Sequence, residues 1–233
     1  MSKRQIQQAD RRRGKHGIRA HLVRGGAPQR DGTVRVQTLL NQIDRHGLAW
    51  DDVADEILPI FERARPSSYD VEQPARAVVP PGVTVGFGID LGLAFARVAD
   101  VHLDRWPVGL AGLTDRALRN LRRRARRARE YDLVAEPIGG VPTLAFQSRD
   151  GWASTTVLVP EAMDRLFGPG PAFFIAPSRD LLVGLPIDVD LGFATWLAQE
   201  FEAGDPNALR LEGFEWRDGS IRCRPLQRDA VAV

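Results

Sequence analysis

Arginines are the residues of this chain whose type and spacing most clearly suggest chemistry. Residues 116–129 hold eight arginines and no acid, and residues 1–35 hold ten Lys/Arg against two Asp/Glu. These 49 residues carry +16 and the other 184 carry −14, within a total of +2. A guanidinium binds phosphate or carboxylate through parallel N–H donors. The asymmetry therefore predicts a surface that binds a polyanion on a protein of nearly neutral total charge.

The candidate polyanion-binding residues form two groups. The first lies in residues 1–33, a polar arm that we expect to be flexible because it has little to bury. The second lies on a helix predicted from Thr114 to about Arg129, since Thr114 suits an N-cap. The apolar stripe of this helix would be Leu118, Leu121, Ala125 and Ala128. The candidate residues are Arg11, Arg12, Arg13, Lys15, Arg116, Arg119, Arg122, Arg123, Arg126 and Arg127.

The partner of such a surface is not specified by charge alone. RNA, a ribonucleoprotein, DNA and an acidic protein all present the required anions. Tyr131 is the one aromatic ring close to the arginines in sequence, so stacking on bases is not favoured. Arginines spread around a helix cannot all face one groove. The alternative interpretation is that they are solvated or pair with the acidic remainder of the protein, or with a second copy.

A second candidate site is a small-ligand cleft formed by Asp90, Arg179 and Asp180. Asp90 follows a glycine-rich strand, and Arg179 and Asp180 follow Ser178 at a corner between two strands. Ser178 has no obvious base, because no histidine lies beyond His102. We therefore expect the corner to be structural, assign no catalytic residue, and keep an enzyme or ligand-binding cleft as an alternative.

Metal and cofactor sites are not expected. The four histidines and the single cysteine, Cys223, show no zinc-ligand spacing. The stretch Gly86–Gly92 is similar to the first phosphate loop of actin-like ATPases, but Leu93, Ala94 and Phe95 supply no side-chain donors to a phosphate. Cys223 is expected to be a buried, inert strand residue.

Composition favours a protein with a substantial hydrophobic core outside membranes. The chain has 233 residues, of which 43% are hydrophobic. One cysteine permits no intrachain disulfide, which suits a reducing compartment. No apolar run approaches the roughly 20 residues of a transmembrane helix, and the N-terminus lacks the apolar region of a secretory signal. We expect a cytoplasmic protein with no membrane partner.

Hydrophobic periodicity predicts an α+β fold. It would have a mixed sheet with flanking helices, the arginine-rich helix near mid-chain and a β-rich C-terminal half. The expected organisation is an arm over 1–33, a domain over 34–225 that could divide near residue 130, and a tail over 226–233. Predicted helices span 36–43, 51–61, 114–129, 160–167 and 191–201. Predicted strands span 77–79, 83–89, 133–136, 143–147, 154–159, 172–176, 181–185, 208–216 and 220–224, with hairpin turns at 150–151 and 218–219.

Several stretches resemble the YtpQ-like family of bacterial proteins of unknown function, also called DUF1444. The resemblance covers roughly residues 35–225 and rests on the order of weak motifs. These are Gly88-Ile89-Asp90-Leu91-Gly92, Asn120-Leu121-Arg122, Ala176-Pro177-Ser178-Arg179-Asp180-Leu181-Leu182, and the closing strand pair with Phe214 and Asp218-Gly219. The charged extension over 122–129 and the arm depart from the family pattern. The resemblance implies a compact cytoplasmic α/β protein and no activity.

Together these observations favour a non-enzymatic binding protein that contacts a polyanion or acidic partner through its arm and arginine-rich helix. The alternatives are the enzyme or small-ligand cleft described above and a homo-oligomeric assembly subunit that uses the C-terminal sheet.

Overall fold

The computed structural model describes residues 49–62, 74–79, 83–90, 95–128, 133–148, 150–203, 205, 208–209 and 211–227. The predicted basic arm, the predicted helix over 36–43 and most of the predicted tail lie outside the described residues. The beginning of that tail is described, and it is tied to the body because Gln227 N donates to Thr195 Oγ1 at 3.0 Å.

Five α-helices and ten strands make up the described fold. The helices are α1 (Trp50–Val53), α2 (Asp100–Leu103), α3 (Leu110–Ala125), α4 (Pro160–Phe167) and α5 (Leu191–Glu202). The strands are β1 (Ile57–Ile60), β2 (Arg76–Val79), β3 (Val83–Asp90), β4 (Phe95–Arg97), β5 (Leu133–Ala135), β6 (Leu144–Gln147), β7 (Ala172–Ser178), β8 (Leu181–Pro186), β9 (Gly213–Arg217) and β10 (Ser220–Arg224). Short 3₁₀ helices span Ala54–Glu56 and Ala153–Leu158.

The strands form two antiparallel sheets, which confirms the α+β class. The first sheet has the order β1-β3-β2, with β4 also pairing with β3. The second has the order β10-β9-β7-β8-β6-β5. The expectation of a single mixed sheet is wrong for the described strands, because every pairing among them is antiparallel. Short turns join β7 to β8 and β9 to β10, whereas the pairs β6–β8 and β7–β9 are joined through longer segments that contain helices α4 and α5.

The predicted helix over 51–61 is wrong beyond its first turn. The chain forms α1, then the 3₁₀ helix Ala54–Glu56, and then strand β1. Ile57, Leu58 and Ile60 are buried, and pairing with β3 satisfies the backbone of β1. Pro59 lacks an N–H to donate, and it is tolerated because β1 lies at the edge of the first sheet.

The predicted strand over 154–159 is also wrong, since residues Ala153–Leu158 form a buried 3₁₀ helix. The hydroxyl of Ser148 accepts hydrogen bonds from Trp152 N at 3.1 Å and Ala153 N at 3.0 Å. These bonds turn the chain before it can extend, so the hairpin expected at Asp150-Gly151 does not form. Thr155, Thr156 and Val157 favour a strand by intrinsic propensity, but the hydrogen bonds to the Ser148 hydroxyl outweigh that preference here.

The arginine-rich helix begins four residues earlier than predicted. Helix α3 starts at Leu110, with Gly109 at its N-cap, and Thr114 lies one turn inside. Thr114 Oγ1 donates to Leu110 O at 2.7 Å instead of capping the helix. The extra turn buries Leu113, which extends the apolar face formed by Ala117, Leu121 and Ala125.

Most other elements agree with the sequence predictions, but the predicted strand over 208–216 begins only at Gly213 and helix α3 ends at Ala125 instead of near 129. Pro160 occupies the first turn of α4, and Asp190 caps α5 by accepting from Phe193 N at 2.8 Å. The hairpin between β9 and β10 turns at Asp218 (φ 50°) and Gly219 (φ 71°), as a two-residue turn requires. These segments were predictable because local chemistry alone specifies them.

The second sheet is buried on both faces. Helix α5 covers the face that carries Phe173 and Val183. The other face carries Phe174 and Phe214, and it joins the core shared with the first sheet and α3. Phe61, directly after β1, stacks on Phe214 with ring centroids 5.6 Å apart. One hydrophobic core therefore contains residues from both sides of position 130.

Candidate functional site

Helix α3 has two chemically different polar sides. At 100° per residue, Asn120 and Arg124 lie next to the buried stripe, whereas Arg119, Arg122 and Arg126 fall within about 60° of one another on the outside. We call these last three residues the outer arginine stripe. The contacts of their side chains show which side is engaged within the protein and which side is available to a partner.

The inner side is anchored on the 3₁₀ helix Ala54–Glu56. The amide of Asn120 is buried and donates to Ala54 O at 2.7 Å and to Ile57 O at 2.8 Å. Arg116 Nε donates to Ala54 O at 3.2 Å. Side chains of α3 thus satisfy carbonyls at the point where the chain enters β1.

Asp55 receives two of the candidate arginines. Its Oδ1 lies 2.8 Å from Arg116 Nη2 and 3.4 Å from Arg123 Nη1. Arg123 Nη2 also donates to Asp55 O at 2.8 Å. Arg116 and Arg123 are therefore engaged in contacts within the protein, and their contribution to an external surface is reduced.

Arg124 makes the most enclosed ion pairs on the helix. Its Nη1 pairs with Asp90 Oδ2, and its Nη2 lies 2.8 Å from Glu56 Oε2. The side chain of Arg124 is 19% exposed and that of Asp90 is 10% exposed. Arg124 was not among the predicted site residues, and it joins α3 to the end of β3 instead of facing a partner.

The outer arginine stripe has only weak partners. Arg119 Nη1 lies 3.7 Å from Asp115 Oδ2, and both side chains are mainly exposed. Arg122 Nε lies 3.6 Å from Glu161 Oε1 of α4. Arg126 and Arg127 are exposed, and neither forms an ion pair with another residue that the structure describes. Long, exposed pairs of this kind contribute little to stability.

The end of α3 that carries Arg126 and Arg127 is held in place by α4. Arg165 Nη1 donates to Ala128 O at 3.0 Å, and its Nη2 donates to Ala125 O. These bonds give Ala128 O a donor and add a second donor to Ala125 O, which also accepts from Ala128 N at 3.1 Å. They also place a cation at the negative end of the helix dipole. The two exposed arginines therefore project from a fixed backbone.

The structure does not place Asp90, Arg179 and Asp180 in contact with one another. Asp180 Oδ1 accepts from Ser148 Oγ at 2.7 Å and Gly151 N at 3.0 Å, so this carboxylate organises the loop before the 3₁₀ helix Ala153–Leu158. Arg179 Nε donates to Phe61 O at 3.3 Å. Asp90 lies beside the start of β1 and Phe61 beyond its end, about 15 Å apart along an extended strand.

Cys223 is exposed on β10, not buried as expected. Desolvation of the thiol, followed by the negative charge of Glu212, raises its pKa above the ordinary value. At neutral pH a raised pKa reduces the thiolate fraction, which is the reactive form. The expectation that this cysteine is chemically inert agrees with the direction of that shift, although burial is not the reason.

Within the described residues, no group of three or more His, Cys, Asp and Glu side chains is arranged to hold a metal ion. In the same part of the chain, no helix is both long enough and apolar enough to cross a membrane. Arg11, Arg12, Arg13 and Lys15 lie outside the described residues, so their part of the predicted site is not described.

Comparison of the chain with protein-family models, with curated proteins and with solved structures gives no match. The resemblance to the YtpQ-like family therefore stays a prediction that rests on the motifs given above. The contacts and exposure of the arginines therefore carry the functional interpretation.

Proposed function

We propose that this protein is a non-enzymatic binding protein whose outer arginine stripe contacts a polyanion, with RNA as the partner to test first. The observation that carries the proposal is the array of Arg119 and Arg126, which are exposed, with Arg122, whose side chain is 42% exposed, between them; exposed Arg127 follows directly after α3. Along the helix axis the stripe spans about 10 Å, at 1.5 Å per residue. Several phosphates of one strand can lie along that length.

The weak pairs of the stripe make it available to a polyanion. Exchanging the exposed pair between Arg119 and Asp115 for a phosphate contact costs little, because such a pair contributes at most about 1 kcal/mol. The inner arginines differ, since moving Arg124 away from Asp90 would break an ion pair whose carboxylate is only 10% exposed. The proposal therefore assigns binding to the outer residues and excludes Arg124.

Recognition would be electrostatic and independent of base sequence. Helix α3 contains no aromatic residue on which a base could stack. Affinity should then fall steeply with salt, because each neutralised phosphate releases counterions. The basic residues of the arm, including Arg11–Arg13 and Lys15, would add to the same attraction. We place this activity in the cytoplasm, which suits a chain with one cysteine.

The test is the salt dependence of binding to mixed RNA in phosphate-free buffer, compared between two variants of equal charge. The test variant is R119Q/R122Q/R126Q. The matched control is R105Q/R217Q/R222Q, which removes three exposed arginines outside α3. If the stripe binds RNA, the test variant should lower the slope of log K against log salt by about 2, at 0.7–0.9 per lost contact.

The two variants separate the proposal from general attraction to positive charge. Equal losses in both variants would contradict a site on α3 and indicate a diffuse effect of net charge. Absence of salt-dependent binding in the wild type would contradict a polyanion function. Tighter binding to duplex DNA or to an acidic protein than to RNA, lost in the test variant alone, would retain the stripe and change its partner.

A further inference from the structure

Carboxylates flank the outer arginine stripe on both sides of the helix. On one side, Glu161 Oε1 of α4 lies 3.6 Å from Arg122 Nε. On the other side, Asp55 Oδ1 lies 3.4 Å from Arg123 Nη1, and Arg123 is about 40° around the helix from Arg119. The side chains of Glu161 and Asp55 are 59% and 63% exposed, so both carboxylates would face a ligand that lies on the stripe.

The two ends of the stripe also differ in charge. Asp115 lies about one turn before Arg119 on nearly the same side of α3, and its side chain is 74% exposed. At the other end, Arg126 and Arg127 are exposed, and neither forms an ion pair within the described residues. A bound chain of phosphates can therefore continue past the C-terminal end of α3, whereas it meets a negative charge at the N-terminal end.

Hydrogen bonds hold the flanking carboxylates beside the stripe. Asp55 belongs to the 3₁₀ helix whose Ala54 O accepts from the Asn120 amide at 2.7 Å. Glu161 lies on α4, which Arg165 joins to the end of α3. The backbones that carry these acids cannot move away from the stripe without breaking those bonds. The positive strip is therefore limited to the outside of one helix, whose diameter with side chains is about 10–12 Å.

A strip of this width suits one strand of nucleic acid better than two. A flexible single strand can place a few phosphates along the stripe and turn the others away from the carboxylates. A duplex is stiff and carries the phosphates of two strands. The major groove of an RNA duplex is also too deep and narrow for a helix to enter, so a duplex has to lie over α3 from outside. Its phosphates beside the contacted strand would then approach Glu161 or Asp55.

We infer that the outer arginine stripe selects single-stranded RNA over duplex RNA, and that Asp55 and Glu161 determine this specificity. The inference rests on the function proposed above. Selection comes from repulsion of the duplex, because α3 has no aromatic residue with which to bind unpaired bases. Placing like charges against the wrong partner is a general means of achieving specificity.

The experiment compares the affinity for oligouridine with the affinity for a fully paired RNA duplex of equal length, at one salt concentration. The wild-type protein should bind the single strand about fivefold more tightly, which is the size of effect that exposed charge contacts produce. The test variant D55N/E161Q should bring the two affinities within about twofold, because it removes both flanking charges. The matched control D188N/D218N removes two exposed acids elsewhere and should keep the wild-type ratio.

Three results would overturn the inference: equal or tighter binding of the duplex by the wild type, an unchanged ratio in D55N/E161Q, or an equal change in the control. If D55N/E161Q fails to unfold cooperatively in urea, E161Q alone decides, and an unchanged ratio in that variant would overturn the inference as well.

Failure of the proposed function gives a different result. The variant R119Q/R122Q/R126Q would then bind both RNAs as the wild type does, or the wild type would bind neither. If that variant loses affinity for both RNAs while the wild type binds them equally, the stripe is the binding site and only its specificity for single strands is wrong.

Discussion

Arginine side chains have different roles on the inner and outer sides of helix α3. On the inner side of α3, Arg124 is 19% exposed and pairs with Asp90 and Glu56. On the outer side, Arg119 is 60% exposed, and its ion pair with Asp115 spans 3.7 Å. A count of arginines therefore overstates a binding surface, because some of them form ion pairs that join the helix to the rest of its own domain.

The difference follows from where the acids lie. Asp55 and Glu56 are placed by the 3₁₀ helix that leads into β1, and Asp90 ends β3, so carboxylates surround the inner side. The outer side faces solvent, where charges are screened and ion pairs are weak. Substitutions on the inner side should therefore affect stability, and those on the outer side should affect binding.

The largest effect on stability is expected for Asn120→Ala. This change removes two buried hydrogen bonds, so Ile57 O loses its Asn120 donor and Ala54 O keeps only the longer bond from Arg116 Nε at 3.2 Å. We expect a loss of about 2–3 kcal/mol in the free energy of unfolding, measured with urea. Arg119→Ala, on the opposite side, is the matched change and should cost at most about 0.5 kcal/mol. Equal losses would remove the distinction between the two sides.

The next effect concerns the enclosed pair of Arg124 and Asp90. Arg124→Gln should lower the free energy of unfolding by about 1–3 kcal/mol, because it removes one ion pair from a carboxylate that is only 10% exposed. A double-mutant cycle with Asp90→Asn should show a coupling energy above about 0.5 kcal/mol. If the losses of the two single variants simply add up in the double variant, the ion pair contributes no coupling energy between α3 and β3.

A smaller effect is expected at Asp55, which is largely exposed. Asp55→Asn weakens the contacts with Arg116 and Arg123, and it should cost about 0.5–1 kcal/mol. In 1 M salt the cost should shrink, since exposed charges are then screened within about 3 Å. A cost that does not change with salt would assign the effect to hydrogen bonding and not to charge.

The smallest change in stability is expected for the outer variant R119Q/R122Q/R126Q. Its free energy of unfolding should stay within about 0.5 kcal/mol of the wild-type value, because its pairs are long and exposed. The same protein should show the reduced RNA salt slope described above. A loss above about 1 kcal/mol would place the outer arginines among the structural ones.

Sequence patterns predicted the elements that depend on local chemistry. Helix α4 begins at Pro160, α5 is capped by Asp190, and the last hairpin turns at Asp218-Gly219. The patterns failed where a distant or side-chain contact decided the conformation. Strand β1 forms because β3 pairs with it. Residues Ala153–Leu158 form a 3₁₀ helix because the hydroxyl of Ser148 accepts hydrogen bonds from Trp152 N and Ala153 N.

The same distinction between local patterns and distant contacts applies to the candidate sites. The arginine-rich segment was evident from composition, but its division into inner and outer residues depended on Asp55, Glu56 and Asp90, which lie at least 26 positions away in sequence. The proximity of Arg76 and Arg97 had no signal in the sequence. These two residues become neighbours only through their register on β3.

The amino-acid sequence alone indicates the α+β class, the concentration of arginine on one helix, and the turns and caps that side chains form with their own neighbours. Periodicity and capping act over a few residues, so they can be recognised along the chain. Which arginines are occupied depends instead on the tertiary structure. Pairing and burial depend on groups brought together from separate strands and helices, and desolvation of those groups determines whether a charge stabilises the fold or stays available to a partner.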